Sequence, residues 1–325
     1  MTPCCKLHPV ALFLVECGQK NGLGHLRRCQ VLAHAMQAEG WECSFGISDV
    51  AMIDIVCSEG FKAALWVGDG LDLGPADVLL VDGYHYNTRI FSRWKKYTRV
   101  SLAVDDLAER PVSAHVILNH NLYGTELDYS NYGAEIVIGG GDYSLVDKKF
   151  FAVANSKRPS PLHVLVSFGG MDDGCYSVPV AKRILMESPS AVLEIVIPKI
   201  QTPSEGIQDL QRQYGSRVIL HHGVDMAEAM GRCSVLAGAA GVTVLEALAS
   251  GLKLSVCASA DNQRINTVAL RKLGYTSFDG FDPEAVAKSA LTFLKDGDLS
   301  VCSVLDGKGP ERVISTLVKL LNKYR

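Results

Sequence analysis

The sequence predicts an α/β protein built from two doubly wound parallel sheets, one in each half of the chain. Three observations carry this reading. Apolar, β-rich runs alternate with amphipathic segments almost to the C-terminus; the strands are continuously apolar; and several of them end in glycine-rich turns. Unbroken apolar strands belong to parallel sheets covered on both faces, whereas a half-exposed strand is polar at every second position. At 325 residues the chain exceeds one ordinary core, and about 150 residues per domain gives two.

In chain order, the clearest strands of the first half are Ala11–Val15, Val78–Val81, Val100–Val104 and Val116–Leu118. In the second half they are His163–Phe168, Leu193–Pro198, Val218–Leu220, Val235–Ala237 and Leu254–Val256. Helical segments fall at Leu26–Glu39, Ser177–Ser188, Met226–Arg232, Val244–Ser250 and Asn262–Leu273. The break between halves falls in FAVANSKRPSP (151–161), where prolines, serines and cations interrupt the apolar pattern, giving domains 1–155 and 156–325. Pro310–Arg325 places Val313, Ile314, Leu317, Leu320 and Leu321 on one helical face, which makes it available to pack back on the first domain.

Composition narrows the function classes. The hydrophobic fraction is 48% and the net charge −3, so there is neither a basic footprint for nucleic acid nor a polybasic face for lipid. The ten cysteines are scattered, without a CxxC or a zinc-spaced Cys/His cluster. Most lie in apolar runs, where a free thiol packs as a small hydrophobe, and this usage fits a reducing, cytoplasmic setting. The opening MTPCCKLHPVALFLVEC lacks a basic flank and a small-residue cleavage site, and reads as a first strand rather than a signal peptide. No apolar stretch reaches the roughly 18 residues of a membrane span.

Three turns hold the chemistry. The first, Gly18 to Cys29, is a glycine loop running into a helix start, where free N–H groups and the dipole favour an anion. His25 lies in the first helical turn, close enough to the positive end of the dipole to stay neutral and accept a proton; a surface His capping the loop is the plainer reading. The second, Ser167-Phe-Gly169-Gly170-Met-Asp172-Asp173, lets backbone approach a partner, and a purely structural turn explains it equally well. The third, Leu236 to Gly251, runs from a strand through small residues into a short helix. There a pyrophosphate could reach the helix start, with Thr243 adding a hydroxyl and Glu246 accepting from ribose hydroxyls. Thr243-x-x-Glu246 is also a capping box, so both readings stand. Asp82, Asp105 and Asp106 stand at strand ends, where aspartates more often cap a turn than bind a metal, and no third ligand stands at a convincing spacing.

With these pieces assembled, the chain resembles the UDP-sugar hydrolases of pseudaminic acid biosynthesis, which release UDP from a UDP-activated diacetamido-trideoxy-altrose. That family is related to the GT-B glycosyltransferases, including the MurG type. The matching pieces, in family order, are GLGHLRRCQVLAHAM (22–36), VDGY (81–84), VDDLAERP (104–111), NHNLYG (119–124), VLVSFGGMDD (164–173), GAAGVTVLEALASG (238–251) and DNQRINTVAL (261–270). The resemblance implies a GT-B-like fold of two Rossmann-like domains with a cleft between them. It implies His25, Asn262 and Tyr84 as catalytic groups around the sugar and the attacking water. Gly22, Gly24, Arg28, Asp106, Gly169, Gly170, Gly241, Val242, Thr243, Glu246 and Gln263 would contact substrate. It implies hydrolysis with inversion, without cofactor or metal, by a monomer or weak dimer whose partner is the UDP-sugar. A glycosyltransferase of the same fold and a non-catalytic nucleotide-sugar-binding paralogue are the alternatives. The chain departs from the family pattern where Asp82-Gly83-Tyr84 replaces Asp-His-Tyr and Asp147 replaces the Arg of Gly-Pro-x-Tyr-x-Leu-Leu-Arg. It departs again where Leu245-Glu246-Ala247 replaces Trp-Glu-Arg and Lys253 replaces a proline.

Overall fold

The computed structural model describes residues 8–18, 23–66, 74–86, 88–154, 156, 163–169, 172–197, 202–222, 225–296 and 304–324. The chain divides into two compact units, one of Met1–Leu145 with Lys308–Arg325, the other of Val146–Gly307.

The first unit runs β1 (Val10–Val15), α1 (Gly24–Ala38), β2 (Glu42–Ile47), α2 (Ile53–Ser58), β3 (Lys62–Leu65), β4 (Val78–Asp82), α3 (Ile90–Trp94), β5 (Val100–Val104), β6 (Val116–Asn119) and β7 (Ile136–Gly139). These strands form a parallel seven-stranded sheet in the order β3-β2-β1-β4-β5-β6-β7. Every residue of β4, β5 and β6 is buried, as expected of strands covered on both faces. Strand order reverses between β1 and β4, and the carboxyl ends at such a switch point are where these folds place ligands. β2 lies inside the sheet although its sequence, ECSFGI, has no apolar run. Phe45 stacks on Phe13 of β1 at 4.8 Å between ring centroids and supplies the packing that the run lacks.

The second unit runs α4 (Lys148–Ala152), β8 (His163–Ser167), α5 (Ser177–Glu187), β9 (Val192–Ile197), α6 (Glu205–Tyr214), β10 (Val218–His222), α7 (Met226–Arg232), β11 (Cys233–Ala239), α8 (Thr243–Ala249), β12 (Lys253–Cys257), α9 (Arg264–Lys272), β13 (Thr276–Phe278) and α10 (Pro283–Asp296). Its parallel sheet has the order β10-β9-β8-β11-β12-β13, with the reversal between β8 and β11. Residues 146–154, placed by the sequence in the first half, belong here. α4 packs on α7 and α8, Phe150 is buried, and Gly231 of α7 lets Val153 approach to where a Cβ would lie 3.2 Å away. Asn262 does not open α9; residues 261–263 form a 3₁₀ turn and the helix starts at Arg264.

A buried carboxylate stands among the apolar strands of this sheet. Glu194 of β9 is 0% exposed and accepts from His163 Nδ1 (2.7 Å), His221 Nε2 (2.7 Å) and Arg232 Nε (3.1 Å). One cation and two imidazole N–H groups satisfy the carboxylate, which is the condition for burying it.

The last helix, α11 (Gly309–Lys323), belongs to the first unit. Val313, Ile314, Leu317, Leu320 and Leu321 are all buried in that unit's core, beside residues of β1, α1 and β5. Among the described residues no helix is long and apolar enough to cross a membrane, and the cysteines are free thiols.

Candidate functional site

The carboxyl ends of β4, β5 and β6 in the first unit carry a buried polar cluster centred on Arg28 of α1, which is 3% exposed. Its Nε donates to Asp82 Oδ2 (2.6 Å) and its Nη2 to Asp82 Oδ1 (2.6 Å). Its Nη1 donates to both carboxylate oxygens of Asp106, at 2.8 and 2.9 Å. A planar guanidinium suits this double clamp because its donors form a rigid fork. One cation between two carboxylates leaves a unit of negative charge, which is spread over further donors. Asp106 accepts from Tyr84 Oη (2.9 Å) and Asn121 Nδ2 (2.8 Å), while Asp82 accepts from Cys29 Sγ (3.3 Å) and from His25. Burial pushes both carboxyls up, but the Arg28 guanidinium outweighs it and holds Asp82 well below the usual carboxylate range and Asp106 below it too.

His25 follows Gly24, the first residue of α1, and its Nδ1 lies 2.7 Å from Asp82 Oδ1 and 2.9 Å from Arg28 Nη2. Only one of these can be a hydrogen bond made by a single ring nitrogen. Asp82 is ionised, so a lone pair on Nδ1 would face the carboxylate oxygen and repel it. Nδ1 therefore carries a proton and donates it to Asp82, and in the neutral ring the lone pair lies on Nε2. The Tyr84 ring stands edge-on to the imidazole, 4.7 Å between centroids at 80°. The ring is thus fixed in orientation and in tautomer. Reading it as a loop cap left this partner out.

The structure brings His25, Arg28, Tyr84 and Asp106 together in one cluster, with roles that differ from those expected. Arg28 and Asp106, expected on the substrate, are spent inside the protein, since all the described donors of Arg28 face Asp82, Asp106 or His25. The Tyr84 hydroxyl is likewise committed to Asp106, and burial followed by that carboxylate pushes it up, so it stays protonated. Asp105 serves its own turn: Oδ1 accepts from Leu107 N and Ala108 N (both 2.9 Å), and Oδ2 from Tyr132 Oη (2.7 Å). Asp82, read from the sequence only as a strand-end carboxylate, and Asn121, which the sequence reading did not single out, complete the cluster. The usable signal was His25 and Arg28, three apart on α1 and so on one helical face, needing a common partner. Gly22 and Gly170 lie outside the described residues.

In the second unit the third turn takes an unexpected geometry. Thr243 is the first residue of α8, Val242 occupies the N-cap position, and no side chain caps the helix. The capping box is therefore not formed, and Glu246, in the first turn of α8, is 9% exposed. Gly238 has a packing reason instead of a phosphate one: a Cβ there would lie 1.9 Å from Ser167 O of β8. Gly241 faces the Gln263 amide, with Nε2 3.5 Å from the position of a Cβ. Gln263 Oε1 accepts from Ser259 N (3.0 Å) and Oγ (3.1 Å), while Asn262 is exposed. Gly169, exposed at φ 91°, follows β8 in the left-handed conformation that favours glycine. A cavity of about 370 Å³ opens toward β9 between Phe168, Ile195, Ser177 and Ser204; the α8 turn does not line it. Ligand atoms of Asp172, Asp173 and Cys175 cluster within 4.8 Å, but Asp172 is engaged in holding the start of α5 through the N–H groups of Gly174, Tyr176 and Ser177.

No family model matches the chain, and no curated protein matches it by sequence. Solved structures share its fold over nearly the whole length. A calicheamicin glycosyltransferase, CalG4, aligns with a TM-score of 0.66 at 12% identity, covering 97% of this chain and 99% of that one. MurG of Acinetobacter baumannii aligns at 0.64 and 14% identity, covering 96% and 100%. The UDP-GlcNAc 2-epimerase of Neisseria meningitidis, solved bound to UDP-GlcNAc, aligns at 0.60 and 12% identity, covering 95% and 100%. The two Rossmann-like units are therefore those of the GT-B fold, as the sequence predicts.

Proposed function

We propose that the protein hydrolyses a UDP-activated amino or deoxy sugar at the anomeric carbon, with inversion and without a metal, in the synthesis of a pseudaminic-type or other surface-glycan sugar in the cytoplasm. The observation that carries this reading is the His25–Asp82 pair, an imidazole held through Nδ1 by a buried carboxylate with its Nε2 lone pair left over. A water oxygen attacks the anomeric carbon as its proton passes to Nε2. The bond to the UDP oxygen breaks, and UDP departs with the electron pair. Asp82 holds the imidazolium as it forms, the role a carboxylate plays behind a catalytic histidine. A base of this kind contributes about 10²–10⁴-fold. UDP leaves readily, so the remaining task is to stabilise its charge, for which the 241–243 backbone and the Thr243 hydroxyl are suited, with Glu246 on the ribose and Asn262 and Gln263 beside the turn. The fold shared with an epimerase that binds UDP-GlcNAc supports a nucleotide-sugar substrate.

The runner-up is a transferase that directs an acceptor hydroxyl where the hydrolase directs water, favoured by glycosyltransferases among the fold's relatives. Incubation with a panel of UDP-sugars, followed by NMR of the products, separates the two. UDP and free sugar should appear from one of them without any acceptor, the sugar first in the inverted anomer. UDP release only in the presence of an acceptor makes it a transferase.

A further inference from the structure

Glu16 follows β1 directly and is 8% exposed. Its backbone N–H donates to Asp82 O at 2.9 Å, and its Oε2 accepts from His85 N at 2.7 Å. Between these contacts lies Gly83, where an added Cβ would stand 2.5 Å from Glu16 Oε2 and 2.6 Å from its Cβ and Cδ. Gly83 does not have the left-handed backbone that asks for glycine, so the constraint is steric: the Glu16 side chain fills the volume that a side chain at 83 would need. Because Cβ and Cδ are both in the way, rotation of the carboxylate alone does not clear it. The opposite side of the turn is held by Arg110, whose Nη2 donates to Gly83 O and Nη1 to Tyr86 O, both at 3.2 Å.

The clamped turn carries the two groups that fix His25. Asp82, on the Nδ1 of the imidazole, is the residue before Gly83, and Tyr84, edge-on to the ring, is the residue after it. We propose that Glu16 is a positioning residue for His25, acting through the 83–86 turn, and that the missing side chain at Gly83 is the condition for it. The proposal rests on the reading of His25 as the base. It ties a residue of β1 to a turn after β4, and it fixes which pairs of residues positions 16 and 83 can hold.

The test is a double-mutant cycle with two readouts, kcat and KM for the UDP-sugar and the NMR signals of the His25 imidazole. Gly83→Ala should shift the His25 signals and lower kcat at least about tenfold with little change in KM, since misplacement of about 1 Å can cost a hundredfold. Glu16→Ala introduced into the Gly83→Ala chain removes the collision, and should recover part of kcat and move the signals back toward the wild type. Glu16→Gln in the same chain keeps the bulk and the acceptor for His85 N–H, and should recover nothing. Unchanged His25 signals and kcat in Gly83→Ala overturn the proposal, as does a Glu16→Ala/Gly83→Ala chain no better than Gly83→Ala. If no chain, wild type included, turns over a UDP-sugar but the imidazole signals follow this pattern, the positioning stands and the hydrolase reading falls.

Discussion

The two units place their candidate sites at the same point of similar sheets, the strand-order reversal, yet they build them from different materials. In the first unit the carboxyl ends carry charged side chains, buried and bonded to one another, so that Arg28, Asp82, Asp106, Tyr84 and His25 form one network. In the second the carboxyl ends of β11 and β12 carry small residues, an uncapped helix start and a few neutral amides. The first arrangement can hold one imidazole in one orientation and a charge in one place, which is what a proton transfer needs. The second leaves room for a ligand's own polar groups, which is what binding needs. The proposed function draws its chemistry from the first unit and its nucleotide affinity from the second.

Substitutions that break this division rank by how much buried charge they expose. The largest effect belongs to Arg28→Met, which leaves two ionised carboxylates buried without their cation. Unfolding by urea should show a loss of about 3–5 kcal/mol, and a loss under about 1 would mean that the cluster is wetter than the structure indicates. Next comes His25→Ala, which should lower kcat by at least about a hundredfold while UDP affinity, measured by calorimetry, changes little. Equal turnover by wild type and variant would remove His25 from the mechanism.

Glu246→Ala probes the other side of the comparison. It should weaken UDP binding by about 1–3 kcal/mol through loss of a buried acceptor. The melting temperature, measured alongside, separates this loss from a structural role of the side chain. A drop in stability with intact affinity would restore the capping role.

A fourth prediction concerns His120, which is 0% exposed with neither ring nitrogen hydrogen-bonded among the described residues, next to Asn119 and Asn121 in the first unit. Burial, then the Arg28 charge, push its pKa from 6.5 down to about 3. A group with a depressed folded value contributes stability that is present above its unfolded value and lost as pH falls toward the folded one. Stability should therefore fall from about pH 6.5 downward, by up to about 1.4 kcal/mol per pH unit. Asp82 and Asp106, also depressed, add to the loss only below about pH 4. Urea midpoints for His120→Asn should be flatter between pH 6.5 and 4.5; an unchanged slope would place the titrating group elsewhere.

Much of the fold could be read in the sequence because parallel strands announce themselves as apolar runs, and β4, β5 and β6 are such runs apart from Ser101 and the terminal Asp82 and Asn119. β2 could not, since Glu42, Ser44 and Gly46 dilute it and its place is set by the ring of Phe13 in a different strand. The candidate site was legible as a set of positions but not as a set of roles. Arg28, read locally, is a cation after a glycine loop and looks free to meet a phosphate. Its partners lie 54 and 78 residues away, and only the folded sheet brings them to it. Thr243-x-x-Glu246 failed the other way, for a local motif was present and the backbone started the helix one residue early, at Thr243 itself, so that the box could not close.

The central claim, water attack at the sugar carbon assisted by His25, is tested most directly by turnover of the UDP-sugar in ¹⁸O-labelled water with no acceptor added. Attack at carbon breaks the bond between the anomeric carbon and the phosphate oxygen, so the UDP released should carry no label, and its formation should depend on His25. Label in the terminal phosphate of UDP would place the attack at phosphorus, and no UDP at all without an acceptor would make the enzyme a transferase; either result contradicts the account.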